Sequence, residues 1–250
     1  MSGHLCVVGL GPGAPEQMTP EAVAALDAAD ELFGYGPYLD RVVLREGQVR
    51  HASDNREELS RAGAALARAA AGAKVAMVSG GDPGVFAMAA AVCEAIEAGP
   101  EDWRRVEMQV VPGVTAMLAV AARVGAPLGH DFCAINLSNN LKPWELLERR
   151  LTAAAEAGFV VALYNPVSRA RPWQLGAAFD LLRGVLPGTV PVVFGRAAGR
   201  ADERITIVPL AEADGGMADM ATCVIIGSAA TRVVERPGLA PLIYSPRSAE

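Results

Sequence analysis

Short β-branched runs alternate with Ala- and Leu-rich stretches along the chain, and this alternation constrains the fold more than any other feature of the sequence. Runs with the composition of strands are 5–9, 74–79, 107–111, 132–137, 159–164, 190–194, 204–209 and 222–227. Strand–helix alternation is typical of parallel or mixed sheets that are covered by helices on both faces. The runs after residue 190 follow one another without long helices, which indicates antiparallel pairs in a second sheet.

Start signals mark several of the helices. Residues 19–21 supply a threonine for the N-cap, a proline for the first helical position and a first-turn acid. Asn55 and Glu58 have the spacing of a capping box. Further helices are predicted over about 143–157 and 172–186, each beginning with a proline.

The length of 250 residues is compatible with one or two domains. A stretch rich in glycine and proline, 125–129, is the best candidate for a boundary. We therefore expect two α/β domains, residues 1–125 and 126–250, with a ligand cleft between them.

Charge and hydropathy exclude several classes of protein. Lys and Arg total 22 and Asp and Glu total 28, so the net charge is −6 and the isoelectric point is about 5.2. Nucleic-acid binding needs clustered cations, so we expect no nucleic-acid partner. No apolar run reaches the roughly 18 residues of a membrane span, and the N-terminal segment has no signal-peptide pattern. We expect a soluble, cytoplasmic protein. Four cysteines and three histidines are too dispersed to predict a metal site.

Three glycine-bearing turns follow predicted strands of the first domain: loop 1 (residues 9–13), loop 2 (79–86) and loop 3 (111–116). Ligands bind at the carboxyl ends of strands in open α/β sheets, and glycines allow close backbone approach. Together the three turns predict one rim of a ligand cleft. Taken singly, they have simpler interpretations: Asp82 as the cap of a helix over 85–98, and Thr115 as the N-cap of the next helix.

Loop 1 has a second interpretation. Gly9, Gly11 and Ala14 match a dinucleotide-binding fingerprint, which predicts a nicotinamide-dependent oxidoreductase. Pro12 opposes this because it removes a donor from the turn, and the following helix begins only after Thr19. A non-catalytic small-molecule sensor of the same fold is a third alternative.

The segments GLGPG (9–13), SGGDPGVF (79–86), VPGVTA (111–116) and LYNP (163–166), in this order and spacing, resemble the tetrapyrrole methylase family. Its members transfer methyl groups from S-adenosylmethionine to corrin and porphyrin precursors. Three longer segments, 33–39, 129–145 and 163–175, are similar to the branch that methylates C17 of a corrin precursor and contracts the macrocycle.

The resemblance covers essentially the whole chain, and it implies two α/β domains with parallel or mixed five-stranded sheets flanked by helices. It also implies a homodimer and a tetrapyrrole substrate. The absence of a Cys-rich extension favours a cobalt-free substrate over a cobalt-loaded one.

The resemblance further implies which residues contact the ligands. Methyl-donor contacts are expected from Pro12, Gly80, Gly81, Asp82, Val85, Thr115, Ala116, Asn165, Gly195, Arg196 and Ala197. Gly80 departs from the serine that is more usual in the family. Because the substrate is a polyanion and the chain is acidic, a basic rim is expected, and the substrate-contact candidates are Gly11, Lys142, Arg169 and Arg171. For the proton transfers of ring contraction, the candidates are Tyr35, His130 and Asp131.

Overall fold

The computed structural model describes residues 3–55 and 57–248. The chain folds as two compact units, Met1–Thr115 (unit 1) and Ala116–Glu250 (unit 2). The division lies ten residues before the expected one, between 115 and 116 rather than between 125 and 126. The helix over Ala116–Val124, α5, packs on strands of unit 2, which places it in that unit.

Unit 1 contains a five-stranded sheet whose neighbouring strands are all parallel. Its strands are β1 (His4–Gly9), β2 (Glu31–Tyr35), β3 (Val49–Ser53), β4 (Lys74–Ser79) and β5 (Glu107–Val111), in the spatial order β3-β2-β4-β1-β5. The helices are α1 (Pro20–Ala28), α2 (Gly36–Leu39), α3 (Glu58–Ala70) and α4 (Met88–Ala98), with 3₁₀ turns at Pro15–Gln17 and Glu101–Arg105. The strands predicted over 74–79 and 107–111 are confirmed, whereas β2 and β3 were not predicted.

Both faces of the sheet in unit 1 are buried, as a parallel sheet requires. Leu5 and Val7 of β1 pack in a cluster with residues of α3 and α4. Cys6 and Val8, which alternate with them, pack in a second cluster with residues of α1. Strand β1 is therefore almost continuously apolar, because α3 and α4 cover one of its faces and α1 covers the other.

The predicted helix starts hold in part. Thr19 caps α1 as expected, since its Oγ1 accepts a hydrogen bond from the amide of Ala22 at 3.1 Å. The capping box at Asn55 is wrong: α3 begins at Glu58 itself and has Glu57 at its N-cap. A helix starting at residue 85 is also wrong, because α4 begins at 88.

Unit 2 contains a mixed five-stranded sheet and a small three-stranded one. Its remaining strands are β6 (Gly125–Ala126), β7 (Phe132–Asn136), β8 (Val160–Tyr164), β9 (Pro191–Arg196), β10 (Arg204–Pro209), β11 (Thr222–Ile226), β12 (Arg232–Arg236) and β13 (Leu239–Tyr244). The helices after α5 are α6 (Trp144–Glu156) and α7 (Gln174–Arg183). The larger sheet has the order β10-β9-β11-β8-β7, and the small sheet has the order β12-β13-β6.

In the larger sheet of unit 2, β7 and β8 are parallel, and all other pairings are antiparallel. The predicted antiparallel pairs among the later strands are therefore confirmed. Phe179 of α7 and Phe194 of β9 lie in its core, with their rings 5.9 Å apart at 69°. Among the described residues, no helix combines the length and apolar composition that crossing a bilayer requires.

Candidate functional site

The carboxyl ends of all five strands of unit 1 lie at one edge of its sheet, because the strands are parallel. We call this the carboxyl edge of unit 1. Loops 1, 2 and 3 follow β1, β4 and β5 there, and Tyr35 is the last residue of β2. The structure thus brings together the unit 1 candidates Gly11, Pro12, Tyr35, Gly80, Gly81, Asp82, Val85 and Thr115. Of these, Pro12 and Thr115 are buried, whereas Val85 is half-buried.

Loops 1 and 2 are joined through their backbones. Gly11 and Gly81 exchange two hydrogen bonds, of 3.1 and 2.9 Å, and the amide of Leu10 donates to the carbonyl of Ser79 at 2.9 Å. Loop 3 packs directly on them: a Cβ on Gly113 would lie 2.3 Å from the carbonyl oxygen of Gly81. No side chain fits in that contact, so the glycines serve the packing of loop on loop.

Asp82 connects loop 2 to loop 3. Its Oδ1 accepts a hydrogen bond from the amide of Gly84 at 2.8 Å, and its Oδ2 accepts one from the amide of Gly113 at 3.1 Å. The interpretation of Asp82 as a helix cap is wrong, because α4 begins six residues later. Each carboxylate oxygen keeps a further lone pair, so a ligand contact by Asp82 stays a prediction.

Two tyrosines lie beside loop 2. The rings of Tyr35 and Tyr38 meet edge to face, with centroids 5.5 Å apart at 87°. A Cβ on Gly80 would lie 2.7 Å from Cζ of Tyr38. Gly80 therefore admits the Tyr38 ring, and a serine there would require that ring to move. The sequence analysis did not single out Tyr38, and only its position three residues after Tyr35 could have drawn attention to it.

Three non-glycine residues of the described chain have left-handed backbone conformations. They are Phe86, Asn165 and Ala197, with φ of 53°, 49° and 51°. Such strain is uncommon outside turns and functional sites. Two of the three are predicted donor contacts, and the third directly follows Val85, which is another. This coincidence supports the selection of these turns from the sequence.

In unit 2, the carboxyl ends of β7, β8 and β9 share one edge of the larger sheet, since β8 and β9 are both antiparallel to β11. Asn165 follows β8, and its Nδ2 donates to Oδ1 of Asn136, the last residue of β7, at 3.1 Å. Arg171 donates from Nη1 to the carbonyl of Asn165 at 3.0 Å and is only 9% exposed. The structure thus gives Arg171 a role in holding the Asn165 turn, in place of the expected open contact with substrate.

The predicted contacts at the end of β9 have other roles in the structure. Arg196 forms ion pairs with Asp219 at 2.7 Å and Asp202 at 2.6 Å. These hydrogen bonds raise the pKa of Arg196, and the one to Asp202 lowers the pKa of that carboxyl. A Cβ on Gly195 would lie 2.1 Å from Cγ2 of Val120. Gly195 is therefore required where α5 packs on the sheet. Ala197, which follows, is buried.

Lys142 and Arg169 follow β7 and β8, so they lie after the same edge of unit 2. Arg169 is exposed. Lys142 is half-buried, and burial, together with the charge of Arg150, lowers its pKa. Among the described residues, neither of these two side chains has a carboxylate ion-pair partner, and both suit an anionic ligand.

His130 and Asp131 lie at the opposite edge of that sheet. They precede the first residue of β7, whereas Asn136 ends it, so about 16 Å of strand separates the two sites. The amide of Asp131 donates to Nδ1 of His130 at 2.7 Å, and its carbonyl accepts from the amide of Val160. The structure does not bring these two residues together with the other candidates of unit 2.

Sequence reasoning missed Arg41, whose Nη2 donates to the carbonyls of Leu10, Gly11 and Gly13 at 2.8, 3.1 and 3.4 Å. Arg41 is some 30 residues from loop 1 along the chain, and no local motif marks it. Only the folded structure, which brings the residue after α2 to the turn after β1, reveals this contact.

Comparisons with known proteins agree with the geometry. A family model described as Tetrapyrrole (Corrin/Porphyrin) Methylases matches residues 4–214. A curated relative from Sinorhizobium sp, named precorrin-3B C(17)-methyltransferase, is 71% identical over 99% of this chain and 97% of the relative. A probable cobalt-factor III C(17)-methyltransferase from Salmonella typhimurium is 39% identical over 96% of this chain and 99% of the relative. The crystal structure of the methyltransferase CobJ superposes with a TM-score of 0.93 and 50% identity, over 98% of this chain and all of that one.

Proposed function

Because the chain belongs to the tetrapyrrole (corrin/porphyrin) methylase family, we propose that it methylates C17 of precorrin-3B and contracts the macrocycle to give precorrin-4, a step of cobalamin biosynthesis. The observation that carries this proposal is the 71% identity, over nearly the full length of both chains, to the relative that is named for this reaction. The fold shared with CobJ at a TM-score of 0.93 is consistent with it.

The methyl donor of the proposal is S-adenosylmethionine, whose sulfonium carries a methyl group that is already activated for transfer. The carboxyl edge of unit 1 suits such a ligand, because glycines expose the backbone of loops 1 to 3 and Asp82 adds a carboxylate beside them. Donor contacts are assigned to Pro12, Gly80, Gly81, Asp82, Val85 and Thr115 of unit 1 and to Ala116, Asn165 and Ala197 of unit 2. Gly195 and Arg196, the last two residues of β9, contribute to the shape of the turn at Ala197.

With an activated donor, the protein contributes mainly by orienting the reacting carbon atoms. Well-oriented reactions gain roughly 7–11 kcal/mol in this way. The carboxyl edge of unit 1 is suited to such a task, because hydrogen bonds between loops 1, 2 and 3 hold their backbones in place.

Ring contraction requires proton transfers in addition. Tyr35 is the best-supported candidate, because it ends β2 at the carboxyl edge of unit 1, beside the donor candidates. His130 and Asp131 are weaker candidates, because they lie at the amino end of β7. Replacing Tyr35 by Phe should therefore slow ring contraction more than His130→Ala does.

The substrate is a polyanion, and Lys142 and Arg169 are assigned to its carboxylates. Arg171 is withdrawn from that group because it is buried against Asn165. A cobalt-free substrate is favoured, since the relative named for precorrin-3B is 71% identical and the one named for cobalt-factor III is 39% identical. By resemblance to the family, the protein is proposed to act as a homodimer in the cytoplasm.

Ligand-dependent stabilisation tests the assignment of the donor. S-adenosylhomocysteine should raise the melting temperature of the protein in a saturable manner, because a ligand that binds only the folded state stabilises it. NAD should have no effect. A dinucleotide site needs a helix whose N-terminus directly follows the glycine-rich turn, whereas the helix after loop 1 begins only at Pro20. Stabilisation by NAD alone would favour an oxidoreductase and overturn the proposal.

A further inference from the structure

A single guanidinium gathers the carbonyl groups of loop 1. Nη2 of Arg41 donates to the oxygens of Leu10, Gly11 and Gly13, at 2.8, 3.1 and 3.4 Å. Three carbonyl dipoles that converge on one point repel one another, and a cation at that point offsets the repulsion. Arg41 itself follows α2 and is half-buried.

Loop 1 transmits this restraint to loop 2. Gly11, whose carbonyl Arg41 contacts, is the residue that exchanges two backbone hydrogen bonds with Gly81. A shift of Gly11 would therefore move Gly81, which lies between the donor candidates Gly80 and Asp82. Each of these links is a direct contact, so the path from Arg41 to loop 2 is short.

We propose that Arg41 is a positioning residue for methyl-donor binding, which acts by fixing the backbone of loop 1 and, through the Gly11–Gly81 pair, that of loop 2. This inference rests on the proposed function. In this role Arg41 acts on the backbone of loop 1, through its hydrogen bonds to three carbonyls. Its loss leaves the convergent carbonyls of loop 1 without their cation, and the donor-binding edge relaxes.

Arg45 offers a matched control four residues further along. Its Nε and Nη2 donate to the carbonyls of Asp27 and Ala29, at 3.1 and 3.2 Å, where α1 ends. Like Arg41, it lies between α2 and β3 and donates hydrogen bonds to backbone carbonyls of unit 1. Because α1 runs back from the carboxyl edge, Arg45 acts at the other end of the sheet.

The experiment compares wild type, Arg41→Met, Arg41→Lys and Arg45→Met. Calorimetry gives the affinity for S-adenosylhomocysteine, steady-state assays with precorrin-3B give KM for the donor and kcat, and urea titration gives the folded fraction. We expect Arg41→Met to weaken S-adenosylhomocysteine binding and to raise the donor KM by about tenfold, with kcat changed by less than about twofold. Arg41→Lys should recover most of the loss, because an ammonium can contact several carbonyls, and Arg45→Met should keep the wild-type KM.

A purely structural role would lower the folded fraction and therefore the apparent kcat, leaving KM unchanged, and that result would overturn the inference. Equal KM values for Arg41→Met and Arg45→Met would overturn it as well. If Arg41→Met does not fold, Arg41→Lys decides, since the shorter side chain should raise KM by about threefold and a wild-type KM would contradict the proposal. A wild type that binds no S-adenosylhomocysteine would overturn the proposed function itself, which is a different outcome from loss of the contrast between Arg41 and Arg45.

Discussion

Both carboxylate oxygens of Asp82 accept hydrogen bonds from backbone amides, one within its own loop and one in loop 3. Hydrogen bonds to an ionised carboxylate are about twice as strong as neutral ones. A residue selected from the sequence as a ligand contact is thus also the link that sets the spacing between two loops. Removing it changes the shape of the site as well as its charge.

Asp82→Asn should weaken binding of S-adenosylhomocysteine by more than about 1 kcal/mol, because an amide NH₂ facing one of the two amide donors breaks that hydrogen bond. Calorimetry measures the change directly. Asp214→Asn is the control, since Oδ1 of Asp214 accepts from the amide of Gly216 at 2.8 Å in a similar turn without a link to a second loop. Equal effects of the two substitutions would show that Asp82 has no special role at the site.

At the scale of elements, the packing of α5 on β9 depends on one glycine. Gly195→Ala should lower the free energy of unfolding by about 1–3 kcal/mol, because the added methyl would lie 2.1 Å from Cγ2 of Val120. Urea titration measures this. Val120→Ala in the same chain should restore part of the loss.

Gly176→Ala is the matched control for this prediction. A Cβ there meets nothing within 4 Å, and the residue lies in the first turn of α7, so alanine should leave the free energy of unfolding unchanged or raise it by up to about 0.5–1 kcal/mol. A destabilisation of the same size at both glycines would contradict the packing argument.

The contact between β2 and α3 predicts how stability depends on pH. Arg68 donates to both oxygens of the buried Glu31, at 2.9 and 3.0 Å, and this lowers the pKa of that carboxyl from 4.5 although burial opposes it; His51 adds to the lowering. A group with a depressed folded-state pKa stabilises the protein above its unfolded-state pKa, and the contribution is lost as pH falls through the folded value.

The unfolding free energy of the wild type should therefore fall between about pH 5 and about pH 3, and Glu31→Gln should flatten that dependence. Urea titrations over this range measure it, with exposed Glu235→Gln as the control. If Glu31→Gln keeps the full wild-type slope, the contact between Glu31 and Arg68 does not contribute as described.

The strands that the sequence predicted are runs rich in apolar and β-branched residues, and they include the partly exposed edge strands β5, β7 and β10. The runs at β4 and β11 are mostly apolar, are buried at almost every position and were recognised. By contrast, β3 is an edge strand with mostly polar, partly exposed residues. In β12, apolar and polar residues do not alternate, so the strand has no apolar face that its sequence would reveal. The stretch around β2 contains two glycines and a proline, which resemble a loop, and its pairing with β3 and β4 makes it a strand.

At the scale of the whole molecule, the proposed substrate is a polyanion, whereas the protein itself carries a net charge of −6. We expect the KM for the tetrapyrrole to rise with ionic strength, because screening weakens the attraction of exposed cations such as Arg169. Steady-state assays at increasing salt measure this rise. Lys142→Gln together with Arg169→Gln should raise KM at low salt and reduce its salt dependence; an unchanged KM would exclude a basic rim at these positions.

The candidate site shows how far a sequence can be interpreted. Local glycine patterns located loops 1 to 3, because a turn after a parallel strand has a local signature. The hydrogen bonds that hold these loops, such as the one from Arg41 to Gly11, join residues 30 positions apart and depend on how distant parts of unit 1 come together. Side chains such as Arg171 were assigned by charge, and burial, which the sequence does not display, changed that assignment.

The most direct test of the central claim is a single incubation of the purified protein with precorrin-3B and S-adenosylmethionine that carries an isotope-labelled methyl group. The account predicts a ring-contracted product with one labelled methyl group, which NMR locates at C17. Absence of label from the tetrapyrrole, in a preparation that is folded and binds S-adenosylhomocysteine, would contradict it.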